Sequence, residues 1–154
     1  MDLKPKRKKK QVYNMSTIHE VETSWKEGFE FDSIIDGHHL TIDSSESGGG
    51  KDKGPRPKAL ILSSLGACTG MDIVSLLQKM RVDFRDFALN VKADLRDEHP
   101  RIYTRIYLEY KIRVKKEDEE KMLKAVELSK DKYCGVSAML SMVCPIDFKI
   151  TFLD

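Results

Sequence analysis

Between Ile18 and Asp43 apolar and polar side chains alternate. In HEVETSWKEGFEFDSIIDGHHLTID the alternation is interrupted only at Gly28 and at Asp36-Gly37. A period of two predicts strands, and Asp-Gly supplies the positive φ of a tight hairpin, so three strands are expected. SSESGGGKDKGPRP, from Ser44 to Pro57, reads as a mobile linker; it lacks the Gly-Lys-Ser/Thr ending of a phosphate-cradling loop. Pro57 suits the first turn of a helix, and KALILSSLGACTGMDIVSLLQKM continues it for about six turns. Its apolar residues lie almost all round, which predicts a central, enclosed helix. Gly66 and Gly70 have the GxxxG spacing of a close approach by another backbone beside Cys68.

Two further alternating stretches, 84–96 and 103–114, predict an antiparallel pair with one wet face. In the second, Thr104, Ile106, Leu108, Tyr110, Ile112 and Val114 are expected on the dry face. Residues 117–133 open with acids and close with lysines, as the helix dipole favours, with Met122, Val126, Ser129 and Tyr133 in line. GVSAMLSM predicts a short helix and residues 145–152 a last strand. The order is βββ, long helix, ββ, helix, short helix, β, which is an α+β domain.

Composition changes this picture in three ways. The 154 residues fit one domain, but the formal charge of +2 hides an asymmetry: MDLKPKRKKK alone carries six Lys/Arg and one Asp. Residues 1–17 are therefore expected to be a basic flexible tail, with Met15 a possible start, and 18–154 the folded domain. The body is mildly acidic, which argues against nucleic-acid binding except through the tail. The apolar segment from Ala59 to Met80 is broken by Ser63, Ser64, Thr69, Asp72, Ser75 and Gln78, so no membrane span is expected. The N-terminus has basic residues but neither an apolar h-region nor a small-residue cleavage site, so no signal peptide is expected, and three cysteines without a CxxC pair predict free thiols in a cytoplasmic protein. Paired ligand spacing is also missing, so a zinc site made of the cysteines and a histidine is not expected, nor any other cofactor.

The Gly-Pro-x-Pro loop, LILSSLGACTGMDI and, 66 residues after its cysteine, the Cys134 of ELSKDKYCGVSAML together resemble the OsmC/Ohr family, in particular its OsmC-like branch. The resemblance runs over about residues 19–154. It implies an intertwined homodimer, with antiparallel sheets wrapped around two long central helices and an active site at the subunit interface. It also implies reduction of organic hydroperoxides, with Cys68 matching the peroxidatic cysteine, Cys134 the resolving cysteine, and a dithiol reductant reopening their disulfide.

A thiol at its reference pKa of about 8.5 is only a few per cent ionised at pH 7, so catalysis needs a neighbour that stabilises the thiolate. Cys68 lies too far into its helix for the dipole to help, which leaves a cation. The family's peroxidases place a glutamate after the helix-opening proline and an arginine near the sulfur. Here Lys58 and Ala59 stand at the glutamate's positions, and no arginine occurs between Arg7 and Arg56. Lys58 is the candidate replacement cation and Arg56 the second choice. Because that pair is missing, a catalytically silent protein that binds a small apolar or anionic ligand at the dimer interface is the alternative. Cys144, just before Pro145, reads as structural. The Tyr103, Tyr107, Tyr110 set and the Met71, Met80, Met122, Met139, Met142 set are either pocket lining or plain packing.

Overall fold

A computed structural model describes residues 18–154, so the readings of the basic tail and of Met15 lie outside the described residues. The described chain forms two compact units, one ending at Gly54 and one beginning at Pro55.

The first unit is an antiparallel meander of β1 (Val21–Glu27), β2 (Glu30–Ile35) and β3 (His38–Ile42), with β2 in the centre. Asp36 and Gly37, at φ 50° and 81°, make the hairpin turn the Asp-Gly pair predicts. The loop after β3 is not the mobile linker expected. The carboxylate of the buried Asp43 accepts hydrogen bonds from the backbone N–H groups of Ser44, Lys51 and Lys53 at 2.7–3.1 Å, and Glu46–Gly48 form a 3-10 turn. Two glycines are needed because a Cβ at Gly50 or Gly54 would lie 2.2 Å or 2.1 Å from the carbonyl oxygens of Ser44 and Thr41. Polar composition predicted a loop correctly, but a buried acid organises it.

The second unit begins with α1 (Pro57–Lys79), with Pro57 in its first turn. It continues with β4 (Phe84–Leu95), β5 (Tyr103–Val114), α2 (Glu119–Leu128), α3 (Gly135–Ser141) and β6 (Ile146–Phe152). β5 is central and pairs antiparallel with β4, but its pairing with β6 is parallel, so the sheet is mixed rather than antiparallel throughout. The reason is the crossover through α2 and α3, which returns the chain to the sheet in the direction it left. Cross-strand rows Ala93–Ile106–Ile146, Val91–Leu108–Phe148 and Leu89–Tyr110–Ile150 form the face under the helices. A register shift after Asp94 puts Tyr103 rather than Thr104 on that face: Tyr103 is buried, whereas Thr104 is exposed and its hydroxyl donates to the Asp94 carbonyl.

α1 presents Leu65, Thr69, Ile73 and Leu77, one stripe at i, i+4 spacing, to a core completed by Met122, Ala125 and Val126 of α2. The rest of the helix is not enclosed within the chain, contrary to the expectation from its all-round apolarity: Ile61 and Met71 are exposed. By length and composition alone α1 would suffice to cross a membrane, a test that the core helices of soluble proteins also pass. Its inner stripe is spent on this core. Gly66 and Gly70 admit side chains of β4 rather than a second backbone, since an added Cβ would lie 3.2 Å from Val91 Cγ2 and 3.3 Å from Leu89 Cδ1.

Candidate functional site

Cys68 stands at the midpoint of α1, and Cys134 at the junction of α2 and α3. The residues between Leu128 and Cys134 determine how the two meet. Ser129–Tyr133 form one wide π-turn, closed by the Cys134 N–H donating to the Ser129 carbonyl at 2.8 Å. This extra width breaks the predicted Met122, Val126, Ser129, Tyr133 line: the first three are buried and Tyr133 is turned out to solvent. Cys134 then caps α3, its Sγ accepting the Ser137 N–H at 3.3 Å.

The result is a pair of neighbouring thiols. The Cys68 and Cys134 sulfurs and a carboxylate oxygen of Asp72 all lie within 4.8 Å of one another. Asp72 follows Cys68 by four residues and so shares its face of α1. A line of hydroxyls leads to this acid: Ser129 Oγ donates to Asp72 Oδ2 at 3.0 Å, and Thr69 Oγ1 lies 2.9 Å from Ser129 Oγ and 3.0 Å from the Tyr110 hydroxyl. A serine has one proton to give. With that proton committed to Asp72, Thr69 donates to Ser129 and Tyr110 donates to Thr69. Burial pushes the Tyr110 phenol up to about 12.

The expected cation is not beside Cys68. Lys58 Nζ donates to the Arg101 carbonyl at 2.8 Å, while its own carbonyl accepts the Tyr103 hydroxyl at 2.8 Å. Ten residues of helical rise, about 15 Å, separate Lys58 from Cys68 along α1, and Arg56, which precedes the helix, is farther still. Asp72 has no ion-pair partner among the described residues. Burial therefore pushes the Cys68 thiol up, and the hydrogen bond and charge of Cys134 and the charge of Asp72 add to it. The Val136 N–H opposes them without prevailing. Cys144 is buried, and its thiol is likewise raised by burial.

The tyrosine and methionine sets do not converge on a pocket. Tyr103, Tyr110 and Met122 belong to the core, Tyr107 donates to Asp94 on the outer face, and Met139 and Met142 are exposed. Met71 instead borders an open groove of about 980 Å³ between α1 and Phe87, Leu89 and Val91 of β4.

The family model described as OsmC-like protein matches residues 49–149. With two cysteine-bearing segments brought together on this α+β framework, the chain belongs to the OsmC-like family. Protein YhfA of Escherichia coli K12 is 34% identical over 122 residues, which cover 79% of this chain and 88% of YhfA. The fold is shared with an OsmC-like protein from Mycoplasma pneumoniae, at TM-score 0.79 and 18% identity over 91% of this chain and 100% of that one. An organic hydroperoxide resistance protein from Elizabethkingia anophelis also has it, at TM-score 0.65 and 14% identity over 90% and 100%.

Asp72, Thr69 and Ser129 were not singled out as functional by the sequence reading, and Tyr110 entered it only as pocket lining or plain packing. For Asp72 a signal existed: it is the lone acid within the apolar stretch from Ala59 to Met80, one helical turn after the cysteine. Ser129 carried no such signal, because its position depends on the π-turn.

Proposed function

We propose that the chain is a cytoplasmic, homodimeric thiol peroxidase that reduces organic hydroperoxides through Cys68 and Cys134. One observation carries this reading: thiols 66 residues apart in sequence are brought within 4.8 Å of each other. The Cys68 thiolate attacks one peroxide oxygen; the O–O bond breaks, and the departing alkoxide takes up a proton and leaves as an alcohol. Cys68 is then a sulfenic acid. The Cys134 sulfur attacks it, the S–O bond breaks, and the hydroxyl departs as water with the Cys134 proton. A dithiol reductant reduces the resulting disulfide and is itself oxidised to a disulfide. Cys134 is suited to the resolving role because it lies between two helices, where the backbone can adjust without unwinding either.

The test is intact-mass analysis of the reduced protein after one equivalent of an organic hydroperoxide. Loss of two hydrogens that maps to a Cys68–Cys134 bond, with a trappable sulfenic acid in Cys134→Ser, is the expected result. Survival of both thiols would sink the proposal. Lys58, the cation expected beside Cys68, is bonded instead to the Arg101 carbonyl, and this favours the second reading, a catalytically silent protein that binds a small apolar or anionic ligand at the dimer interface without turning it over. Intact thiols together with saturable ligand binding would establish that alternative.

A further inference from the structure

We propose that Cys68, Asp72 and Cys134 form a binding site for a thiophilic divalent cation of the zinc class, with three protein ligands and a fourth position open. Two sulfurs and one carboxylate oxygen already lie within 4.8 Å of one another. Tetrahedral coordination with zinc–sulfur bonds of about 2.3 Å would set the sulfurs about 3.8 Å apart, so only a small contraction is required. Soft sulfur donors beside one carboxylate select zinc over magnesium or calcium.

The surroundings fit this use of the residues. Ser129 holds Asp72 through Oδ2, and Ser129 is in turn held by Thr69, which is itself bonded to Tyr110, so the carboxylate is oriented by groups that are not ligands. The Ser137 N–H fixes the Cys134 sulfur in the same way. An acid beside two thiols, with no ion-pair partner among the described residues, is an arrangement that a bound cation would balance. Binding displaces both thiol protons, so affinity rises with pH. The metal and the disulfide exclude each other. Reaction of the two metal-bound thiolates with one hydroperoxide and two protons gives the disulfide, an alcohol, water and the free cation.

This inference stands apart from the peroxidase reading, because a silent relative could hold a metal equally well. The experiment is titration of the reduced full-length chain with Co²⁺ as a spectroscopic substitute for Zn²⁺, followed by Zn²⁺ competition. We expect one Co²⁺ per chain, thiolate-to-cobalt charge-transfer absorption, intense visible bands of tetrahedral cobalt, and displacement by Zn²⁺. Cys68→Ser and Asp72→Asn should each weaken binding more than tenfold, and Cys144→Ser should leave it unchanged. Absence of the charge-transfer band, or its persistence at undiminished affinity in Asp72→Asn, would overturn the site. Asp72→Asn keeps both thiols, so hydroperoxide treatment of the same variant tests disulfide formation independently.

Discussion

Asp72 works against the chemistry proposed for its neighbour. Its charge adds to burial and to Cys134 in holding the Cys68 proton in place, so oxidation of the metal-free protein by a hydroperoxide should accelerate as pH rises through the thiol range. Asp72→Asn removes a negative charge and stabilises the thiolate, which lowers the thiol pKa. The variant should therefore react severalfold faster than wild type at pH 7, measured under pseudo-first-order hydroperoxide with chelator present; an equal or slower rate would show that Asp72 does not set the reactivity. The sequence exposed the two cysteines because their motifs are local strings. It did not expose what sets their ionisation. Lys58 was chosen as a cation by position, but the end of a helix is about 15 Å from its middle, and the structure directs this side chain to the Arg101 carbonyl.

Among the elements, α1 was the most legible, since Pro57 and a sustained apolar run define its start and extent. Its end follows different rules. The Val82 N–H donates to the Leu77 carbonyl and the Arg81 N–H to the Gln78 carbonyl, a Schellman arrangement in which Arg81 takes the left-handed φ of 56° that glycine usually occupies. Arg81→Gly should relieve that strain and raise stability by up to about 1 kcal/mol, read from denaturant unfolding. A loss of stability would mean that the arginine side chain contributes more than the strain costs. The parallel pairing of β6 was less legible, because alternation reports which face a strand buries but not its direction. The Asp43-centred loop was missed for a related reason: a polar, glycine-rich string looks the same whether its amides face water or a buried carboxylate.

For the whole molecule, one chain leaves apolar surface uncovered. Trp25, Phe29 and Phe31 are exposed in the first unit, and Ile61 and Met71 along α1 in the second. Patches of this kind mark association surfaces. A second copy is the occupant proposed for the α1 groove, which matches the homodimer implied by the sequence resemblance and is lined mainly by small and aliphatic residues. Met71 is 73% exposed, so Met71→Asp should cost a single chain little while placing a charge in the proposed interface. Sedimentation velocity should show a dimer for wild type and a shift toward monomer for the variant; a variant that remains fully dimeric would place the interface elsewhere.

The π-turn at Ser129–Tyr133 also limits how this protein can change over generations. Most surface connections tolerate insertion or loss of a residue. Here one residue fewer would swing Cys134 by about 100° around the helix axis, while Met122 and Val126 stayed in the core. A descendant with a shortened turn would still fold, but its two sulfurs would no longer meet. The number of residues between Leu128 and Cys134 is thus as much a part of the site as the cysteines themselves.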